Sequence, residues 1–237
     1  MPLLGTGDSV SGGKGRTNMI SEIFMMATIE DIKAFAVKHF SSARGSHDWE
    51  HTQRVYNLCM HIGRVEGADL EVLEIAAYLH DVGRSYEDES KGTVCHAERG
   101  AEIACGLLEK YPISDKQKAN IIHCIRSHRF RGNRQPETLE AKVLFDADKL
   151  DAIGAVGIGR AFLFAGEVGA KLHNPYINVE ETEAYTEEDT GYREFKLKLS
   201  KIKDRMLTGE GKHMAQERHA FMEMFFQRFN EEYEGHK

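Results

Sequence analysis

Ala77-Tyr78-Leu79-His80-Asp81-Val82-Gly83-Arg84 is the stretch on which the fold and the chemistry of this chain turn. An apolar run, Ile75 to Leu79, ends on two metal-type ligands side by side, so the pair faces a core rather than water. The pattern leading into it is helical. Leu70, Leu73, Ala76 and Ala77 form an inward stripe that His80 continues, Asp69 is placed to cap the start, and Gly83 to stop the end. Upstream lies His51, in Asp48-Trp-Glu-His51-Thr52; downstream lies Phe145-Asp-Ala-Asp-Lys-Leu-Asp151. The order His, His-Asp, Asp suits a divalent transition metal and has the spacing of neither a zinc finger nor an EF-hand.

The same periodicity extends over most of the chain. Ile32, Phe35, Ala36 and Phe40 recur at helical spacing, followed by a turn at 41–45. A helix capped by Asp48 carries Val55, Leu58, Cys59 and Ile62 and ends at Gly67. His96 opens a helix that stops near Pro112. Ser114-x-x-Gln117 reads as a capping box for the next, which carries Ile121, Ile122, Ile125 and His128. Thr138 caps a helix that leads into the Asp146–Asp151 cluster, and 152–169 reads as a buried, closely packed helix. No alternating strand pattern and no repeat is present. The expected fold class is all-α: a helical domain over 29–170, a preceding disordered extension over 1–28, an acidic surface loop over 171–191, and two C-terminal helices within 192–237 packed on the same domain. Those two span about 192–207 and 213–233, with Phe221, Met224, Phe225 and Phe229 as the apolar stripe of the second.

The bulk numbers narrow the function. At 237 residues and 41% hydrophobic content the chain supports one sizeable core. A net charge of −7 argues against a nucleic-acid polymer as partner, because phosphate neutralisation needs a basic surface. It leaves room for a small phosphorylated substrate. Cys59, Cys95, Cys105 and Cys124 form no C-x-x-C pair and read as reduced thiols. No apolar run spans a membrane and the N-terminal stretch lacks a signal-peptide core, so a cytoplasmic protein, monomer or homodimer, is expected.

Five separated motifs sharpen the reading: His80-Asp-Val-Gly-Arg, His96-Ala-Glu-Arg-Gly-Ala, Ser127-His-Arg-Phe-Arg-Gly, Pro136-Glu-Thr-Leu-Glu-Ala-Lys and Asp146-Ala-Asp-Lys-Leu-Asp-Ala-Ile-Gly-Ala. In this order, with His51, they resemble the HD-domain superfamily of metal-dependent phosphohydrolases, and in particular a bacterial branch that includes nucleotide pyrophosphohydrolases. The resemblance covers about 29 to 173. It implies a single helical HD-domain bundle whose metal ligands are His51, His80, Asp81 and Asp148. Of the downstream carboxylates, Asp148 falls in the family's Ala-Asp-x-Leu element; Asp146 and Asp151 are then groups that orient ligands or cap a turn. The metal is expected to be Mn²⁺, with Fe, Co, Ni or Mg as alternatives.

His96 and His128 fit either a second metal, as in some HD enzymes, or direct contact with phosphate, including a general-acid role. A metal with an open position polarises a phosphoryl oxygen and lowers the pKa of water from about 16 to near 7 in the best cases. Asp81, His96 and His128 are the expected catalytic groups. Arg84, Arg129, Arg131 and Lys149 are the expected substrate contacts, since a guanidinium fork matches phosphate oxygens. Glu98 reads as a partner of a ligand, Arg99 as surface or phosphate contact, and His123 as off the helical face of His128. The resemblance implies a substrate among nucleoside triphosphates or related nucleotides, cleaved at a phosphoanhydride. Val-Gly-Arg after Asp81 departs from the glutamate-bearing 5′-nucleotidase pattern, and Gly132-Asn133-Arg134 from the cyclic-di-GMP pattern. Three alternatives stay open: a phosphodiesterase, a 5′-nucleotidase, or a non-catalytic metal-dependent nucleotide sensor.

Overall fold

In the computed structural model, described for residues 13–40, 49–129 and 134–237, the described residues are helical with no strand. The elements are α1 (Gly13–Phe40), α2 (Trp49–Glu66), α3 (Leu70–Leu79), α4 (Arg84–Glu89), α5 (His96–Leu108), α6 (Asp115–Ser127), α7 (Leu139–Leu150), α8 (Gly154–Glu167), α9 (Gly191–Leu197) and α10 (Gly209–Tyr233). Short 3₁₀ helices cover Val179–Glu181 and Leu199–Arg205. The all-α expectation holds.

Local chemistry sets the boundaries. Asp69 Oδ1 accepts from the Glu71 and Val72 N–H groups, Ser114 Oγ from Gln117 and Thr138 Oγ1 from Ala141, and Thr190 and Thr208 cap α9 and α10 in the same way. Gly67 ends α2 at φ +76°, a conformation that costs other residues a Cβ clash. Helix α2 turns His51, Val55, Leu58, Cys59 and Ile62 inward, and α3 turns Leu73, Ile75, Ala76 and Leu79 inward. Helices α2, α3, α5, α6 and α7 pack on one another, α1 lies on α3, and α10 lies on α8, α7 and α2. One cluster of buried apolar side chains joins them, from Ile32 to Phe226. Burying each large aliphatic side chain in it contributes roughly 1.5–3 kcal/mol.

Several expectations need correction. Residues 13–28, expected in a disordered extension, belong to α1; residues 1–12, the 41–45 turn and the Asp48 cap lie outside the described residues. Gly83 does not stop α3 in a left-handed turn, since its φ is −89° and α3 ends at Leu79. Its lack of a side chain matters for another reason: a Cβ there would sit 2.3 Å from the His96 carbonyl oxygen and 2.6 Å from Gly100 N. Helix α8 is buried on one face only; Val156 and Leu163 are exposed. The first C-terminal helix breaks at Lys198 into α9 and a 3₁₀ segment. In α10 the inward residues are Ala215, His219, Met222 and Phe226, while Phe221 and Met224 are exposed. The 171–191 loop is anchored by a buried network in which Arg193 donates to Asp189 and to Thr182, and Thr190 to Asn174. Among the described residues no helix is long and apolar enough to cross a membrane.

Candidate metal centre

Five helix ends meet at one point. His51 is in the first turn of α2, His80 caps the C-terminus of α3, His96 opens α5, His128 caps α6, and Asp148 is in the last turn of α7. Asp81 follows His80 directly. His51, His80, Asp81, His96 and His128 are all buried, at 1% exposure or less, which unpaired ionisable groups rarely tolerate.

Each imidazole is fixed through Nδ1. His80 donates to the Ala77 carbonyl at 2.7 Å and His128 to the Ile125 carbonyl at 2.7 Å. His51 donates to Asp151 Oδ2 at 2.8 Å and His96 to Glu87 Oε2 at 2.5 Å. A proton committed to Nδ1 leaves Nε2 of a neutral ring with a lone pair. Those lone pairs converge. His51 and His80 Nε2 are 3.4 Å apart, and His96 and His128 Nε2 are 3.1 Å apart. Asp81 joins the two pairs: Oδ1 lies 3.0 Å from His96 and 3.4 Å from His128, and Oδ2 lies 3.9 Å from His80 and 4.0 Å from His51. The result is two buried triads sharing one carboxylate, His51–His80–Asp81 and Asp81–His96–His128.

This donor set fits divalent cations. Ligands about 2.1 Å from a metal lie roughly 3.0 Å apart at octahedral angles and 3.4 Å at tetrahedral ones, the range of both imidazole pairs. Between His96 and His128, facing lone pairs with no proton between them also repel unless a cation lies between. Burial holds His80 down to about 4 despite the charge of Asp81, and lowers His96 in the same way, so both favour the neutral, ligating form. Asp148 stands at the rim, with Oδ1 3.4 Å from His51 Nε2 and Oδ2 2.7 Å from Lys149 Nζ. Burial alone would raise it, but Lys149 and His51 hold it well below the usual carboxylate range.

The surrounding residues divide into those the sequence anticipated and those it did not. Asp151 orients His51 and accepts from Arg54 and Arg160 at 2.7 and 2.6 Å. Asp146 points away and accepts from Leu207 N, Thr208 N and Thr208 Oγ1, fixing the start of α10. Arg84 lies 3.3 Å from Asp81 Oδ2 and Arg129 2.6 Å from Glu87 Oε2. Arg131 lies outside the described residues. Glu98, expected beside a ligand, instead pairs with Arg126 and Arg134 at the surface, and Arg99 with Glu102 and the Tyr86 ring. His123 accepts from Glu137 N, a structural role. Glu87, Arg54 and Arg160 escaped sequence reading.

The family model for the HD domain matches residues 48–153, which hold both triads. The Bacillus subtilis (strain 168) protein YpgQ is 33% identical over 211 residues, covering 87% of this chain and 94% of YpgQ. The chain belongs to the HD-domain family. Among HD structures, that of YpgQ in complex with ADP superposes with a TM-score of 0.69 at 29% identity, covering 88% of this chain and 96% of that one. The HD-superfamily hydrolase of Bacillus thuringiensis superposes at 0.70 and 29% identity, covering 89% and 98%. The HD region is also 32% identical over 113 residues to Ribonuclease Y of Alkaliphilus metalliredigens, covering 48% of this chain and 21% of that protein. Membership agrees with the expected hydrolase class and with an HD-type metal site.

Proposed function

We propose that this HD protein is a divalent-metal-dependent nucleotide phosphohydrolase that cleaves a phosphoanhydride of nucleoside triphosphates or related nucleotides. The observation that carries this reading is the pair of buried triads sharing Asp81, in a site flanked by Arg84, Arg129 and Lys149. His51, His80, Asp81 and Asp148 would hold the metal, which we take to be Mn²⁺. His96 and His128, together with Asp81, would hold a second. When bound, the metal polarises a phosphoryl oxygen and lowers the pKa of water.

The chain's own residues do the rest. The Nδ1 hydrogen bonds keep four Nε2 atoms aimed at one place, so the reacting groups meet without reorganisation. Arg84, Arg129 and Lys149 are each tied to a single carboxylate and keep further N–H donors for phosphate oxygens. Arg84 Nε is buried and lacks a partner among the described residues, a donor that a phosphate oxygen satisfies. With no cation at the second triad, a protonated His96 or His128 would instead donate from Nε2 to the departing phosphate. The nucleotide is supported by the YpgQ–ADP complex and by the net charge of −7, which disfavours a polymeric anion.

The likeness to Ribonuclease Y favours a second reading, a phosphodiesterase on the same site. A panel of nucleoside triphosphates and diphosphates, a dinucleotide and a short RNA separates the two, assayed in EDTA and with Mn²⁺, with Asp81→Ala as control. Pyrophosphate released only with metal and only with intact Asp81 is the expected result. Diester cleavage with the triphosphates untouched, or tight nucleotide binding with no turnover, would refute the proposal.

A further inference from the structure

The second triad takes its orientation from a residue outside every metal-type motif. Glu87 lies in the short helix α4, which buries none of its side chains. Its Oε2 accepts from His96 Nδ1 at 2.5 Å, from the His96 backbone N–H at 3.0 Å and from Arg129 Nη1 at 2.6 Å. Of the four site imidazoles, His80 and His128 rest on backbone carbonyls and His51 on Asp151, itself buried at the end of α7; only His96 depends on a side chain from so lightly packed an element. Without an acceptor at Nδ1 the ring proton is free to move to Nε2, and a ring protonated there cannot ligate through the nitrogen that faces the site. The same oxygen holds Arg129 beside the triad.

We propose that Glu87 is the positioning residue of the second triad. It holds His96 in the Nδ1–H tautomer with Nε2 facing Asp81 Oδ1 and His128, so cation binding at Asp81–His96–His128 depends on it while binding at His51–His80–Asp81 does not. This rests on the reading of the second triad as a metal subsite. Because Arg129 shares the carboxylate, Glu87 also links that subsite to a phosphate-facing guanidinium.

The test uses the full chain stripped with EDTA, with Mn²⁺ titrated calorimetrically into wild type, Glu87→Ala and Glu87→Gln, and a thermal melt of each in EDTA. Wild type is expected to take two equivalents. Glu87→Ala should keep the first and weaken the second by about 10–100-fold. Glu87→Gln, whose amide oxygen still accepts from Nδ1–H, should fall between. Long-range ¹H–¹⁵N spectra of the histidine rings, assigned with His96→Gln, give a second readout: His96 should be an Nδ1–H tautomer in wild type and Glu87→Gln and lose that uniformity in Glu87→Ala. If Glu87→Ala does not fold, a second-site affinity in Glu87→Gln equal to wild type overturns the assignment. Two equivalents of unchanged affinity in Glu87→Ala, even with a lowered melting temperature, overturn it as well. One equivalent in wild type overturns the two-metal reading and this assignment together.

Discussion

Gly83→Ala and Gly100→Ala form a matched pair across the contact that holds the His-Asp turn against α5. At Gly83 a Cβ would lie 2.3 Å from the His96 carbonyl oxygen and 2.6 Å from Gly100 N, both backbone atoms that cannot swing aside. An ordinary contact needs about 3.4 Å, so α5 or the turn must move by about 1 Å. Overpacking of this kind costs about 1–3 kcal/mol and occasionally more. For a chain of this size 1 kcal/mol shifts Tm by about 2–4 °C, giving a fall of about 2–12 °C. The backbone conformation itself, φ −89°, suits alanine, so the whole cost is steric. At Gly100 the same Cβ would meet neighbours at 3.5 Å, ordinary contact, inside a helix where alanine gains about 0.5–1 kcal/mol over glycine. Its Tm should hold or rise by a few degrees. Because the displaced atom at Gly83 belongs to His96, Gly83→Ala should also weaken Mn²⁺ binding at the second triad. Calorimetric melts of the two variants in EDTA, followed by Mn²⁺ titration, check this. A Gly83→Ala protein that melts within a degree of wild type and binds metal normally would refute the argument.

Asp151→Asn should weaken the first metal site about 10–100-fold, because it unsettles His51 and leaves Arg54 and Arg160 short of a carboxylate, while the second triad keeps its affinity; site-resolved Mn²⁺ titration checks it. In the metal-free protein burial pulls His51 down, but its hydrogen bonds to Asp148 and Asp151 and the nearby charges of Asp148 and Asp81 outweigh that and push it up to about 9. A cation must therefore displace that proton, and first-site affinity should climb by about tenfold per pH unit between about 6.5 and 8.5; an affinity that levels off near 7 would count against it. Glu87, held down to about 2 by His96 and Arg129 against the pull of burial, contributes stability that is present above about pH 4.3 and lost as pH falls toward 2; the Tm gap in EDTA between wild type and Glu87→Gln should close over that window. Cys95 and Cys105 are exposed and Cys59 and Cys124 buried, so a thiol reagent should label two sulfhydryls per native chain and four in denaturant.

What could be read in the sequence, and what could not, follows from the range of each interaction. Helix identity was legible because caps such as Asp69, Ser114 and Thr138 sit within three residues of the donors they satisfy. The site's imidazoles and Asp81 were legible because each falls at the end of its own apolar helix, so ligand type and helical pattern changed together. Which face of α10 turns inward was not legible. The spacing 221, 224, 225, 229 is as helical as 215, 219, 222, 226, and only the neighbouring helices choose between them. The partners that set the site's chemistry are harder still. Arg54 reaches Asp151 across 97 residues and Arg129 reaches Glu87 across 42, and neither pairing leaves a local mark, since a charged residue on a helix ordinarily means a wet face. Asp146 illustrates the converse. It sits in the most ligand-like carboxylate cluster of the chain, yet the Leu207 and Thr208 donors claim it for the start of α10, leaving Asp148 and Asp151 to face His51. A motif thus names the groups able to do the chemistry, and the long-range donors decide which of them are left free to do it.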